Sequence, residues 1–425
     1  MTTDYRQMWA ELGIDLDRHD ELLNAIAPIY EEIYLSQKDR PKGMEFFDFV
    51  VGNIHGIRVH ELRKHAMNGS KVVATYCVFV PDEIVLAADA IPVGLCAGTQ
   101  FSVPIAEEVL PHNTCALIKS SFGFKLGRTC PYVQTSHLIV GETTCDGKKK
   151  MFEILAEYHP IHIMEVPNKK TEAGRNLWRG EVIAFKEAIE KLTGNEIQAD
   201  RLDQATKLVN DRRRALQRLY NTRKARPVPI SGKDAMLVTQ VAFYDDVARY
   251  VQQVNALCEE VEGRIAAGKG GFPADAPRIL ITGTPMAIPN WKLHHILETA
   301  GAAVVCEESC TGTRYFSDLV PEDGGTVERQ LGNIADRYLQ IHCACFTPND
   351  ERLDDIIRLG REYQVDGVVH NNLQFCHTYA NEAVKVERVL AKEGIPLLRI
   401  ETDYSNEDAG QLRTRVDAFL EMIRK

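Results

Sequence analysis

The chain has 425 residues and a formal net charge of −10 at pH 7, with 44% hydrophobic and 26% charged residues. At a rough ~150 residues per domain, this length predicts two to three domains, and the composition excludes a disordered or low-complexity chain. The net negative charge argues against nucleic acid as the main partner, because phosphate binding usually comes with clustered basic residues.

Two features of the sequence predict a cytoplasmic protein. The first residues lack a basic segment followed by an apolar stretch, which argues against export. No part of the chain approaches the ~18 uninterrupted apolar residues that a membrane helix requires. Disulfides are rare in a reducing compartment, so the 11 cysteines are expected to be thiols that serve either packing or metal ligation.

The order of apolar segments predicts an α/β protein. Leu and Ile recur at helical spacing in residues 1–65, which predicts an N-terminal helical segment. In residues 66–177 short apolar runs alternate with helical segments, as expected for a first α/β domain with a parallel sheet. Its buried strands are expected near residues 71–77, 91–96 and 137–141.

Residues 178–272 are predicted to form a helical connector packed on the α/β domains, with a proline break at Pro227 and Pro229. Its basic run, residues 212–226, is predicted to be a solvated helix face. Residues 273–425 are predicted to form a second α/β domain. Its strands are expected near residues 278–283, 302–306, 337–343, 367–370 and 396–400. The expected fold class is therefore two similar Rossmann-like or flavodoxin-like parallel-sheet domains with additional helical segments.

Several cysteines directly follow predicted strands. Cys96, Cys145 and Cys376 occupy such positions, and Cys310 and Cys345 follow the predicted strands near residues 302–306 and 337–343. Ligands of open parallel sheets collect outside the carboxyl ends of the strands. We therefore expect these thiols to converge.

The cysteines also recur in the same order in the two halves. The predicted pairs are Cys145 with Cys376, Cys115 with Cys345, and Cys96 with Cys310. The neighbouring Cys306 or Cys343 could replace Cys310 or Cys345, and this alternative stays open. The two tight pairs of a structural zinc site and the runs of ferredoxins are missing. Thiolates gathered from distant loops favour a larger iron–sulfur assembly.

Charged residues near these cysteines are candidates for supporting roles. Lys119, Glu142, His370 and His377 are candidates for proton transfer, because reductions consume protons as well as electrons. Arg314 is a candidate to stabilise an anionic cluster beside Cys310. The three lysines at 148–150 are either part of the environment of an anionic cofactor or solvated surface residues.

Three motifs resemble a known superfamily, that of the 2-hydroxyacyl-CoA dehydratases and benzoyl-CoA reductases. They are GLCAGT at residues 94–99, LPHNTCALIKSSFGF at 110–124 and VGETTCDGKKKM at 140–151. The segments YCVFVP at 76–81 and NLQFC at 372–376 add to the likeness, which runs through nearly the whole chain. Within the superfamily the sequence is most similar to the double-cubane cluster proteins.

This resemblance implies a homodimer in which each protomer holds two iron–sulfur cubanes joined by a bridging sulfide, an [8Fe-9S] centre. Six of the irons would each need one thiolate, and the expected ligands are Cys96, Cys115, Cys145, Cys310, Cys345 and Cys376. It further implies a separate ATP-hydrolysing [4Fe-4S] activator protein that supplies low-potential electrons, and reduction of small molecules such as acetylene, azide or hydrazine. The chain has no G-x-x-x-x-G-K-[ST] phosphate loop, which is consistent with an ATPase on another chain.

Two other functions remain open. The first is a dehydratase or aryl reductase subunit of the same superfamily that acts on an acyl-CoA and carries a [4Fe-4S] cluster. The second is a non-catalytic electron carrier or cluster-storage protein. A nicotinamide-dependent dehydrogenase is disfavoured, because no G-x-G-x-x-G follows any predicted strand.

Overall fold

The computed structural model describes residues 5–424, which contain two four-stranded parallel sheets. Residues 1–4 and 425, at the ends of the predicted segments, lie outside this range. The first sheet consists of β1 (Val72–Thr75), β2 (Ile91–Gly94), β3 (Leu138–Glu142) and β4 (Ile161–Met164). The second consists of β5 (Arg278–Gly283), β6 (Ala303–Glu308), β7 (Gly367–Leu373) and β8 (Leu397–Thr402). The predicted fold class of two similar parallel-sheet domains with additional helices is confirmed.

Both sheets have the same strand order. It is β2-β1-β3-β4 in the first sheet and β6-β5-β7-β8 in the second. Strands β5, β6 and β7 are buried along their whole length, as expected for parallel strands covered by helices on both faces. Because all strands of a sheet run the same way, their carboxyl ends lie along one edge, and this edge is where a site is expected.

Helices surround the sheets and fill the segments before and between them. Four precede the first sheet: α1 (Arg6–Glu11), α2 (Leu16–Tyr30), α3 (Met44–Gly52) and α4 (Ile57–Met67). Five follow strands of that sheet: α5 (Asp82–Ala87), α6 (Val103–Ala106), α7 (Ala116–Leu126), α8 (Pro131–Thr135) and α9 (Asp146–Leu155). Four connect the sheets: α10 (Glu172–Thr193), α11 (Ala199–Thr222), α12 (Gly232–Val241) and α13 (Val247–Ala266). Six belong to the second half: α14 (Lys292–Thr299), α15 (Thr313–Phe316), α16 (Val327–Tyr338), α17 (Asp350–Glu362), α18 (His377–Lys392) and α19 (Ala409–Ile423).

The basic run is a solvated face only in part: the side chains of Arg214 and Arg218 on α11 are 44% and 35% exposed, as predicted, whereas other members are buried. Arg212 is 3% exposed and Arg213 is 2% exposed, and Arg223 just after the helix is fully buried. Arg213 pairs with buried Glu83 at 2.8 Å, and Arg223 pairs with Glu307 of β6 at 2.8 Å. The charges are buried because the connector lies between the two halves, where each guanidinium finds a carboxylate.

The predicted strand at residues 337–343 is also wrong. Its first residues are the last turn of α16, which ends at Tyr338. Leu331, Ile334 and Tyr338 are buried at the spacing of one helix face. The apolar residues after the helix then continue into an irregular segment that carries Cys343 and Cys345. A short apolar run of this kind cannot be assigned to strand or helix by periodicity alone.

Among the helices of residues 5–424, none combines the length and the apolar character needed to cross a bilayer.

Candidate metal centre

A cavity of about 630 Å³ lies where the carboxyl ends of the two sheets meet. Loops after β1, β2 and β3 contribute one wall, and loops after β5, β6 and β7 contribute the other. Both halves therefore bring strand ends to the same space, which is the place where parallel α/β sheets bind ligands. Most of the lining is apolar, but one type of reactive side chain recurs throughout it, the cysteine thiol.

Seven cysteines line this cavity: Cys77, Cys115, Cys145, Cys310, Cys343, Cys345 and Cys376. Five of the six predicted ligands are among them, and the sixth, Cys96, is not. Cys77 and Cys343 are additional to the predicted set. Cys306, the possible substitute for Cys310, is fully buried within β6 and does not line the cavity.

The first group of thiols consists of Cys115, Cys145 and Cys376. Each occupies the N-cap of a helix, before α7, α9 and α18 respectively. The backbone amide of Lys148 donates to the sulfur of Cys145 at 3.5 Å. Unpaired amides and the helix dipole at these termini favour a thiolate. Burial opposes them and raises the pKa of Cys145, and contact with Cys115 raises that of Cys376.

Two members of this group touch across the boundary between the halves. The thiols of Cys115 and Cys376 are within hydrogen-bonding distance of each other, and this contact lowers the pKa of Cys115 to about 7. The backbone amides of Leu117 and Ile118, in the first turn of α7, act in the same direction. One half of the molecule therefore supplies two thiols and the other half supplies the third, at one end of the cavity.

The second group of thiols consists of Cys77, Cys310, Cys343 and Cys345. Burial raises the pKa of Cys77 to about 12, and the nearby Cys310 and Cys343 add to the rise. Contact with Cys345 lowers the pKa of Cys343 to about 6. The hydroxyl of Tyr379 lies 3.7 Å from the sulfur of Cys343. Here the second half supplies three thiols and the first half supplies one.

Two cations lie beside these thiols. The guanidinium of Arg314 is 4.0 Å from the sulfur of Cys310 and is held by buried Glu308 and Tyr379. The ammonium of Lys148 pairs with Glu142. Burial is the main influence on the pKa of Cys77 and Cys310, and contact with Cys376 is the main influence on that of Cys115. The charge of Lys148 lowers the pKa of all three thiols. Lys148 therefore lies within electrostatic reach of both thiol groups.

The rest of the lysine run differs from Lys148. Lys149 pairs with the exposed carboxylate of Asp146 at 2.7 Å, and Lys150 pairs with Glu153 at 2.6 Å. These two side chains are partly or largely exposed, whereas that of Lys148 is 12% exposed and lines the cavity. Lys148 thus fits the interpretation as part of the cavity environment, whereas Lys149 and Lys150 fit that of solvated surface residues.

Of the four predicted proton-transfer residues, one lines the cavity and three do not. Lys119 donates to Glu107 at 2.6 Å and to the carbonyl of His112 at 2.9 Å, outside the cavity lining. Glu142 is buried behind Lys148, and His370 is buried in β7, where burial lowers its pKa to about 3. His377, at the start of α18, lines the cavity.

Cys96 lies on the other side of the segment that follows β2. Leu95 and Ala97 line the cavity, but the thiol between them points away, toward His55 and Cys130. The structure therefore does not bring Cys96 together with the other five predicted ligands. Cys77 follows β1 by two residues, so the rule of cysteines at strand ends could have found it from the sequence.

The sequence is similar to those of several known proteins. The model of a family described as 2-hydroxyglutaryl-CoA dehydratase, D-component, matches residues 77–423. The putative dehydratase subunit YjiM of Escherichia coli (strain K12) is 43% identical over 84% of this chain and 92% of its own length. The (R)-phenyllactyl-CoA dehydratase beta subunit of Clostridium sporogenes is 23% identical over 89% of this chain and 99% of its own length. A benzoyl-CoA reductase subunit of Thauera aromatica is 20% identical, over 85% of this chain and 93% of its own length.

Proposed function

The chain belongs to the 2-hydroxyglutaryl-CoA dehydratase D-component family, and we propose that it is a reductase with a double-cubane [8Fe-9S] centre in the cysteine-lined cavity. The observation that carries this proposal is the division of the seven thiols into two adjacent groups. In the double cubane that the resemblance implies, a bridging sulfide joins the cubanes and each cubane is held by three thiolates. One group offers three and the other offers four.

The donor set fits an iron–sulfur centre by its chemistry. Soft thiolate ligands suit iron–sulfur clusters, and these seven come from both halves of the chain. We assign Cys115, Cys145 and Cys376 to one cubane and Cys77, Cys310 and Cys345 to the other. Cys77 thus takes the place predicted for Cys96, because it lines the cavity and Cys96 does not. Cys343 is the seventh thiol, in contact with Cys345 and Tyr379.

The surrounding residues would stabilise an anionic centre. When bound, the centre would supply electrons at low potential to a substrate in the cavity. Arg314 and Lys148 offset its negative charge, and the N-termini of α7, α9 and α18 direct backbone amides toward it. His377 lines the cavity and is a candidate for proton delivery, while the roles predicted for Lys119, Glu142 and His370 stay predictions.

The proposal includes partners and a substrate class. Electrons would come from a separate ATP-hydrolysing [4Fe-4S] activator protein, and substrates would be small molecules of the acetylene, azide and hydrazine type. We propose a cytoplasmic homodimer. Several relatives are named as one of two or more different subunits of an enzyme, which supports association with other chains.

Metal analysis of anaerobically purified protein tests the cofactor. We expect about eight irons and a similar amount of sulfide per chain, whereas about four irons would indicate a single cubane. Adding the activator and ATP should then give reduction of acetylene. Protein that takes up electrons from the activator but reduces no substrate would instead be an electron carrier.

A second function is favoured by the names of the relatives. Several are named for acyl-CoA compounds, as dehydratases or as benzoyl-CoA reductases. The mainly apolar lining of the cavity is compatible with an acyl group as well. Dehydration of a 2-hydroxyacyl-CoA by the activated protein alone, with about four irons per chain, would establish this second function in place of the first.

A further inference from the structure

A second cluster of metal-binding side chains lies outside the cavity. It consists of His55 between α3 and α4, Cys96 after β2, and Cys130 at the N-cap of α8. One ligand atom from each lies within 4.8 Å of the other two, and all three residues are buried. Three separate segments of the chain thus bring two thiols and one imidazole to a single point.

One distance within the cluster matches that expected in a tetrahedral metal site. The sulfur of Cys96 lies 3.6 Å from Nε2 of His55. A tetrahedral zinc ion with Zn–S of ~2.3 Å and Zn–N of ~2.0 Å places its sulfur and nitrogen ligands roughly 3.6 Å apart. Two thiolates and a neutral imidazole also neutralise a divalent cation, which suits a buried position.

The imidazole of His55 is already oriented for ligation. Its Nδ1 is 2.9 Å from Nε2 of buried His19, so a hydrogen bond between the rings leaves Nε2 of His55 directed at the two thiols. Metal-binding histidines characteristically have such a partner on the second ring nitrogen.

The indole of Trp9 holds this arrangement from the N-terminal helices. Its ring lies 4.3 Å from the ring of His19, and its N–H donates to the carbonyl of His55 at 2.6 Å. Both histidines are therefore fixed by packing and by hydrogen bonds. A metal would therefore bind an imidazole that its neighbours already hold in place.

We propose that His55, Cys96 and Cys130 bind one Zn²⁺ ion that is separate from the cavity centre. The ion joins the N-terminal helices to the segment after β2, whose residues Leu95 and Ala97 form part of the cavity wall. With three protein ligands, the fourth position of the tetrahedron is left to a water molecule, and the ion fixes this wall through the segments that it joins.

Zinc analysis of the intact protein, purified anaerobically from zinc-supplied cells, tests the proposal. We expect about one zinc per chain in addition to the iron, and zinc-edge X-ray absorption should show two sulfur ligands at ~2.3 Å and nitrogen at ~2.0 Å. This measurement sees only zinc, so it is independent of iron content and of activity. Absence of zinc, or a shell with no sulfur, would overturn the proposal.

Variants locate the ion. Cys130→Ser and His55→Asn should each lose the zinc, keep the iron and unfold at a lower temperature. Cys258→Ser is the matched control, since Cys258 is a fully buried cysteine in α13 outside both sites. If the two variants do not fold, zinc K-edge data on the wild type still decide whether zinc is bound by sulfur ligands. A Cys96–Cys130 disulfide in the native protein, or iron loss on replacing Cys130, would contradict the assignment.

Discussion

Strands β2 and β6 are the edge strands at the same end of the two sheets, and each is followed by a cysteine. Cys310 after β6 lines the central cavity, whereas Cys96 after β2 joins His55 and Cys130 on the far side of its segment. Equivalent places in the two topologies therefore lead to different sites. The position of a residue at a strand end decides which region it enters, but the local path of the backbone decides where its side chain points.

At the end of β2 the connector sets this path. The amide of Gly94 donates to the carbonyl of Phe243 at 2.6 Å, and the hydroxyl of Tyr244 donates to the carbonyl of Leu95 at 3.2 Å. Gly98, four residues after Gly94, adopts a φ of +106°, and a Cβ there would lie 2.3 Å from the carbonyl oxygen of Ala287. Only glycine permits this close approach. Neutral hydrogen bonds and close packing hold the segment.

At the end of β6 buried charges set the path. Glu307 accepts two hydrogen bonds of 2.8 Å from Arg223, and Glu308 pairs with Arg314. The two carboxylates are on adjacent residues of the strand, so they face opposite sides of the sheet. Glu308 therefore holds a cation at the cavity while Glu307 fixes the strand to the connector.

The largest expected effect separates the two cysteines. Cys310→Ser should lose half or more of the iron, because it removes a thiolate from the proposed centre, whereas Cys96→Ser should keep all of it. Iron and sulfide analysis of anaerobically purified variants measures the difference. Full iron in Cys310→Ser together with iron loss in Cys96→Ser would reverse the assignment and support the original prediction for Cys96.

The next largest effect concerns the ion pair of Arg223 and Glu307, which fixes β6 to the connector. Arg223→Leu should lower the free energy of unfolding by roughly 3–5 kcal/mol, because it leaves the Glu307 carboxylate buried without its main partner. Arg218→Leu is the matched control on α11, since its pair with Glu262 is exposed and should contribute only ~0–1 kcal/mol. Urea unfolding of both variants measures the values. Equal losses would mean that the Arg223 pair is no stronger than a surface pair.

A smaller effect is expected from pH. Burial alone would raise the pKa of Glu307, but Arg223 outweighs it and holds the value at about 2, below the ordinary 4.5. A lowered pKa stabilises the fold above pH 4.5, and this stabilisation, roughly 3 kcal/mol, is lost as pH falls toward 2. The stability of Glu307→Gln should therefore fall less steeply than that of the wild type below pH 4.5. Parallel curves from thermal unfolding would contradict this.

Part of the site could be predicted from the sequence. Alternating apolar runs were enough to predict two parallel sheets, and strand-end position led to Cys145, Cys310 and Cys376 because parallel strands end at one edge. The direction of Cys96 depends on Phe243 and Tyr244 of the connector, and no local pattern near Cys96 reveals that contact. The sequence prediction misses Cys77 because the strand expected near residues 71–77 includes it, whereas β1 ends two residues earlier, at Thr75.

The smallest expected effect concerns the hydrogen bond from Tyr244 to the carbonyl of Leu95, just after β2. Tyr244→Phe removes the hydroxyl that donates to Leu95 and contacts the Cys96 thiol, so it should cost ~1 kcal/mol of stability and leave the iron content unchanged. Tyr250→Phe is the matched control, because its buried hydroxyl donates to the carbonyl of Val238 at 2.9 Å, away from β2.

Hydrogen exchange distinguishes the two tyrosine variants where stability does not. The amide of Leu95 donates to Thr75 of β1 at 3.0 Å, and its exchange should accelerate in Tyr244→Phe but not in Tyr250→Phe. Equal exchange in both variants would mean that the path after β2 is fixed by Gly94 and Gly98 alone. A selective change would show that a single hydroxyl of the connector helps to direct Cys96 away from the cavity that Cys310 enters.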